Sequence, residues 1–261
     1  MSAKLPRTDS LKDKVGLVVG IANDESIAYG CATAFRNAGA ELAITYLNEK
    51  ARPHVEPLAQ QLGAALLLPL DVRDDAQLDA VFTAIKDKWG RLDFLLHSIA
   101  FAPKEDLHGR VVDSSAKGFC TAMDISCHSF IRMAKRAEPL MPNGGALVTM
   151  TYYGSEKVVP NYNLMGPVKA ALESTVRYLA HELGPKGIHV NAISPGPLKT
   201  RAASGIKDFD DLLDEAELRA PARELVDIYD VGVATAGLMS PYSRLITGET
   251  IYIDGGYHIL G

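Results

Sequence analysis

Val15-Gly16-Leu17-Val18-Val19-Gly20-Ile21-Ala22-Asn23-Asp24-Glu25-Ser26-Ile27-Ala28-Tyr29-Gly30 decides the fold. A short β-branched run ends in a glycine, and an amphipathic segment carrying Cys31, Ala34 and Phe35 follows. A strand, a glycine turn and a helix N-terminus can cradle a pyrophosphate, because small residues let backbone N–H groups and the positive helix end approach phosphate oxygens. Gly20, Ser26 and Gly30 meet that need, with Ile27 opening the helix, although the G-x-G-x-x-G spacing is absent.

Outward from this stretch, six further runs read as strands: Glu41–Tyr46, Ala65–Leu70, Phe94–Ser98, Ala146–Met150, His189–Ser194 and Thr250–Ile253. Segments of helical period separate them, such as Leu78, Val81, Phe82, Ile85 and Trp89, bounded by Asp74 and Gly90. The strands are near-continuous apolar runs, as burial on both faces of a parallel sheet demands. The expectation is an α/β fold: one doubly wound Rossmann domain over residues 1–261, with a seven-stranded parallel sheet and helices on both faces. The rhythm breaks at about 195–226, where an acidic stretch, Asp208 to Glu217, follows a strand end. In open α/β sheets ligands bind at that edge, so the segment reads either as a substrate lid or as a solvated surface helix.

Three strand ends carry the rest of the cofactor reading. The second ends in Tyr46-Leu47-Asn48-Glu49, where a dinucleotide fold meets the adenosine ribose. No arginine occurs until Arg52, and Glu49 repels a 2′-phosphate, which favours NAD over NADP. The third ends in Asp71-Val72, where Asp71 can accept from the adenine amine, and the fourth in His97-Ser98-Ile99-Ala100, where Ile99 can pack on the cofactor.

Composition removes several classes. The 261 residues hold 27 Lys+Arg and 32 Asp+Glu, a net charge of -5, without a basic block for nucleic acid or anionic lipid. The longest apolar stretch, Leu62 to Leu70, is too short to span a bilayer, and Met1 to Lys14 lacks a secretory core, which points to the cytoplasm. Cys31, Cys120 and Cys127 read as buried small hydrophobes, and the seven scattered histidines suggest no metal site.

Beyond the fifth strand lie Tyr152-Tyr153-Gly154-Ser155 and Asn161-Tyr162-Asn163-Leu164-Met165-Gly166-Pro167-Val168-Lys169. With Ser26-Ile27-Ala28-Tyr29-Gly30, His97-Ser98-Ile99 and Asn191-Ala192-Ile193-Ser194-Pro195-Gly196-Pro197, these motifs resemble the enoyl-acyl-carrier-protein reductases of the short-chain dehydrogenase/reductase superfamily. The likeness runs from Leu11 to Ile253-Asp254-Gly255-Gly256. Ordinary superfamily members carry a Tyr four residues before the catalytic Lys, where Met165 stands here. Tyr162 and Lys169 have instead the enoyl reductase spacing, and seven residues of helix return to one face.

The resemblance implies reduction of a trans-2-enoyl thioester on acyl carrier protein by NADH, in bacterial fatty acid synthesis. It gives Tyr162 the hydrogen bond to the thioester oxygen, Lys169 the nicotinamide ribose, and Tyr152 a place beside the substrate. It puts Ala102 in the acyl pocket and Leu198, Lys199, Thr200, Arg201 and Ala202 in a loop closing on nicotinamide and substrate. Relatives form homotetramers, and the apolar row Met165, Val168, Leu172, Val176, Leu179 and Leu183 fits either such a face or core packing. Pro167 sets the helix start near Asn163. Asp208, Asp210, Asp211 and Asp214 sit awkwardly with docking of an acidic carrier, for which Lys199, Arg201 and Lys207 offer partners. A 3-oxoacyl or alcohol dehydrogenase would need a Tyr at Met165, and an NADH-sensing protein without turnover would not need Tyr162 and Lys169.

Overall fold

Seven strands form one parallel sheet in the order β3-β2-β1-β4-β5-β6-β7. The computed structural model describes residues 9–198, 200 and 209–260, with the side chains of 209–211 left aside. The strands are β1 (Val15–Val19), β2 (Glu41–Tyr46), β3 (Leu66–Pro69), β4 (Phe94–His97), β5 (Gly145–Met150), β6 (Ile188–Pro195) and β7 (Thr250–Ile253). The helices are α1 (Ile27–Asn37), α2 (Arg52–Gln61), α3 (Asp75–Trp89), α4 (Lys104–Leu107), α5 (Ala116–Met123), α6 (Ser129–Ala137), α7 (Met165–Leu183), α8 (Phe209–Arg219) and α9 (Ile228–Met239). No helix among the described residues is long and apolar enough to cross a membrane.

Alternation along β1 explains the layers. Val15, Leu17 and Val19 join Leu78, Phe82, Phe130, Leu172 and Val176 on the face covered by α3, α6 and α7. Val18 joins Phe35, Val231 and Leu238 on the face covered by α1 and α9. Successive residues of a strand point to opposite faces, so a strand buried on both sides must be apolar throughout. The edge strands differ: β3 and β7 are only partly covered, and Pro69 is tolerated because β3 is an edge that needs no further N–H donor.

Local signals hold where they are chemical. Asp74 caps α3 by accepting from Ala76 N at 2.9 Å and Gln77 N at 3.2 Å, and Gly90 ends it in the left-handed conformation, φ 69°. Other expectations need correction. α7 begins at Met165, not near Asn163, because Asn161 and Asn163 take left-handed φ values of 64° and 45°. Pro167 is then its third residue, inside the turn that has no intrahelical donors to lose. Cys31 and Cys127 are buried, but Cys120 is exposed on α5. The apolar row from Met165 to Leu183 lies in the chain's own core, so it supplies no face for a second copy.

Gly30 is a packing residue and not part of a phosphate cradle. A Cβ there would stand 2.1 Å from the Ile228 carbonyl oxygen, and one on Gly232 would stand 2.5 Å from the Gly30 carbonyl oxygen. The α1 and α9 backbones touch at this pair. Gly30→Ala should therefore destabilise the protein by about 3 kcal/mol in urea denaturation, at the upper end for overpacking. A loss within experimental error would contradict the close approach.

Candidate active site

Strand order reverses between β1 and β4, and two adjoining cavities of about 480 and 360 Å³ open there, beyond the strands' C-terminal ends. This is the crevice where open α/β sheets bind ligands. Ile27, Ser98, Ile99, Ala100, Phe101 and Thr200 line both, so the two share a wall.

The larger cavity gathers Gly20, Ser26, Ile27, Leu47, Asp71, Val72 and Ile99, all expected at the cofactor. Gly20 has φ 118°, and a Cβ would lie 2.0 Å from the Ser98 carbonyl oxygen, so only glycine lets β1 turn here beside β4. Ser26 Oγ closes the following turn: it accepts from Ala22 N at 3.0 Å and Asn23 N at 3.1 Å and donates to Asn23 Oδ1 at 3.0 Å. Its side chain therefore does not cap α1, which leaves the helix's positive end to a ligand.

Leu47 is 55% exposed on the cavity wall. Arg52 nearby is engaged by Glu56 at 3.3 Å and Glu49 at 3.6 Å. Asp71 accepts from Arg73 Nε at 3.0 Å and Nη2 at 2.5 Å, and this bonding holds its carboxyl below the ordinary range despite partial burial. Sequence reasoning missed Arg73, which also lines the cavity; its place two residues after a strand-end aspartate was the available signal. An arginine is thus present at this end, but its charge is already matched.

The smaller cavity is lined by Tyr152, Tyr162, Lys169, Ala102, Leu198 and Thr200 from the expected set, together with Leu107, Met150 and Met165. Lys199, Arg201 and Ala202, with Lys207 and Asp208, lie outside the described residues. Tyr162 is not on α7. It sits between the two left-handed asparagines, with its N–H donating to the Val159 carbonyl and its own carbonyl accepting from Met165 N. A turn, and not helical periodicity, brings it to the wall that Lys169 shares.

The tyrosines stack edge to face. Ring centroids are 4.8 Å apart for Tyr152 and Tyr162, 5.4 Å for Tyr152 and Tyr153, and 5.7 Å for Tyr153 and Tyr257. Ala216 of α8 and Ala220, just past its end, pack on Tyr257, so this helix is anchored to the site's aromatic row and is not merely a solvated surface segment. Burial first, then Tyr152 and Glu173, push the Tyr162 hydroxyl far above its usual titration range, and burial does the same for Tyr152. Both stay protonated donors at any working pH. The Tyr152 hydroxyl is buried with no partner among the described residues, as a group awaiting a ligand would be.

Lys169 is 4% exposed and donates from Nζ to the Met150 carbonyl oxygen at 2.7 Å. Burial lowers it to about 8, against the opposing pull of Glu173. Beneath it, His97 bonds Thr149 Oγ1 and Ser129 Oγ, each at 2.8 Å, and burial then Lys169 hold it near 3, a neutral imidazole. A widened turn at Asp124–His128 fixes the far wall, where Ser126 Oγ accepts from Phe101 N at 2.9 Å and donates to its carbonyl at 3.0 Å.

The likeness to known proteins matches this arrangement. The family model described as "Enoyl-(Acyl carrier protein) reductase" matches residues 20–258. The enoyl-[acyl-carrier-protein] reductase [NADH] 1 of Rhizobium meliloti (strain 1021) is 50% identical over 251 residues, 96% of this chain and 92% of that protein. The reductase of Anaplasma phagocytophilum, solved in complex with NAD, superposes with a TM-score of 0.95 at 47% identity, covering 99% of this chain and 98% of that one. The Bacillus cereus reductase, solved with NADP+ and indole naphthyridinone, gives 0.94 at 46% identity, covering 96% and 98%. With 239 of its 261 residues matched, 20 through 258, the chain belongs to the enoyl-(acyl carrier protein) reductase family.

Proposed function

We propose that the protein reduces trans-2-enoyl thioesters carried on acyl carrier protein, with NADH, as a single Rossmann domain of the cytoplasm. The observation that carries this reading is one cavity wall bearing two protonated tyrosine hydroxyls and a buried cationic lysine, beside a glycine-turn cavity that shares lining residues with it and suits a dinucleotide. The fit to the cofactor rests on the glycine turn at Gly20, which lines the larger cavity, and on the uncapped N-terminus of α1. Gly20, Ser26, Ile27, Leu47, Asp71, Val72 and Ile99 would hold it, with Leu198, Lys199, Thr200, Arg201 and Ala202 proposed to close over it.

When bound, NADH supplies a hydride to the β-carbon of the enoyl thioester. Negative charge then grows on the thioester oxygen, and Tyr162 donates a hydrogen bond to it. Tyr152, whose hydroxyl has no other partner among the described residues, is the second donor within reach of that wall. The Lys169 ammonium lowers the cost of the developing anion, and beyond its bond to Met150 it keeps two N–H groups for the ribose hydroxyls. Ala102, Leu107, Met165 and Leu198 give the acyl chain an apolar wall that excludes water. Protonation at the α-carbon completes the product. Met165 supplies no hydroxyl four residues before Lys169, which counts against ketone reduction.

The family's homotetramer belongs to the same proposal, through exposed groups such as Tyr178 of α7. Turnover of crotonyl thioester should be at least about tenfold faster with NADH than with NADPH at equal subsaturating concentration. The arginines near the adenosine end are held by Glu49, Glu56 and Asp71, so a 2′-phosphate would lack a charged partner worth about 1.4 kcal/mol or more. Faster turnover with NADPH would contradict that assignment.

A further inference from the structure

Glu173 stands one helical turn beyond Lys169 on α7, and the two side chains are 5% and 4% exposed. Residues four apart project from the same face of a helix. A carboxylate this far from water needs a compensating charge, or it takes up a proton. Thr151 Oγ1 donates to Glu173 Oε1 at 2.6 Å, which fixes the carboxylate without neutralising it. The preceding residue, Met150, accepts from Lys169 Nζ at 2.7 Å. Thr151 is itself fixed by donating its N–H to the Ile193 carbonyl at 2.8 Å. Two consecutive residues at the end of β5 thus anchor an ammonium and a carboxylate drawn from one face of α7.

We propose that Glu173 is a positioning residue whose carboxylate keeps Lys169 protonated in its buried site, with Thr151 holding that carboxylate in place. The other groups near the pair carry no charge that could serve. His97 from β4 is neutral, burial raises the Cys127 thiol of the widened turn, and Tyr152 and Tyr162 remain protonated. Tyr252 of β7, which senses Glu173 and bonds exposed Glu156, is pushed up to about 12, first by burial. His189 lies at the opposite, N-terminal end of β6. Lys169 itself is drawn down to about 8 by burial, with Glu173 the largest influence resisting it.

The inference rests on the reading of Lys169 as a group of the active site. It is tested by the pH dependence of kcat/KM for Glu173→Gln and Glu173→Asp, beside the unaltered enzyme, with NADH and crotonyl thioester. A lysine whose counter-charge is removed loses its proton at lower pH. The alkaline fall in activity should therefore move down by about 1 pH unit or more in Glu173→Gln and return towards its original position in Glu173→Asp. An unmoved alkaline limb in Glu173→Gln, with only activity or stability reduced, would overturn the proposal and leave the carboxylate as a hydrogen-bond acceptor for Thr151.

Thermal unfolding gives a second reading that needs no turnover and holds if Glu173→Gln does not fold alone. Lys169→Met strands the carboxylate, so Lys169→Met/Glu173→Gln should melt higher than Lys169→Met. A double variant melting at the same temperature or lower would refute the pairing. If the unaltered protein reduced no enoyl thioester, the proposed function would fail while this comparison still decided the role of Glu173.

Discussion

Tyr162→Phe should lower kcat with an enoyl thioester by about 10²- to 10³-fold, the loss typical of one hydrogen-bond donor aimed at developing negative charge. The phenyl ring retains the edge-to-face packing on Tyr152, so the melting temperature and NADH affinity should not change. Because the lost bond strengthens only as charge develops, kcat and kcat/KM should fall together while KM stays constant. The Tyr162 hydroxyl is held protonated by burial, so the deficit should be the same at pH 6 and pH 9. A deficit confined to KM would mean that Tyr162 only binds substrate. No deficit would move the role to Tyr152, whose buried hydroxyl is the other free donor of that wall.

Lys169→Met should have the broader effect. It removes the cation from the substrate cavity and the donor to Met150, and it leaves Glu173 buried with only Thr151 for company. Loss of charged hydrogen bonds of about 1.5–3 kcal/mol predicts NADH binding weaker by about ten- to a hundredfold in calorimetric titration, with turnover below detection. Urea denaturation should report a stability loss of about 1–3 kcal/mol from the polar groups left unpaired. Undiminished NADH affinity would separate Lys169 from the cofactor and confine it to the substrate oxygen.

What the sequence could reveal follows from the range of the interactions involved. β1 is legible to the residue because a central strand of a parallel sheet is apolar along its whole length, and β2 and β7 because their β-branched and aromatic runs are bounded by polar residues and glycine. Asp74 and Gly90 are legible because a cap is chemistry between near neighbours. The motifs around Gly20, Tyr162 and Lys169 pointed to the two cavities those residues line.

The remainder depends on partners far along the chain. Gly30 looked like part of a phosphate turn, but its constraint is the backbone of α9, some two hundred residues away. Glu173, four residues after Lys169, carries no mark of burial in the sequence. Only the packing of α7 against the ends of β5 and β6 buries Glu173 and turns it toward Thr151. The tyrosine row could not be read either, because Tyr257 meets Tyr153 only after the C-terminal turn folds back. The start of α7 failed for another reason: two asparagines adopted left-handed turns that helical periodicity cannot anticipate.

The most direct test of the central claim follows the transferred atom. The protein is given NADH deuterated at the transferable C4 position and a trans-2-enoyl thioester, and the product is analysed by mass spectrometry and NMR. The account predicts a saturated thioester with one deuterium on the β-carbon, formed at a rate that Tyr162→Phe suppresses. Deuterium on a carbinol carbon formed from a ketone, or no consumption of NADH with any enoyl thioester, would contradict it.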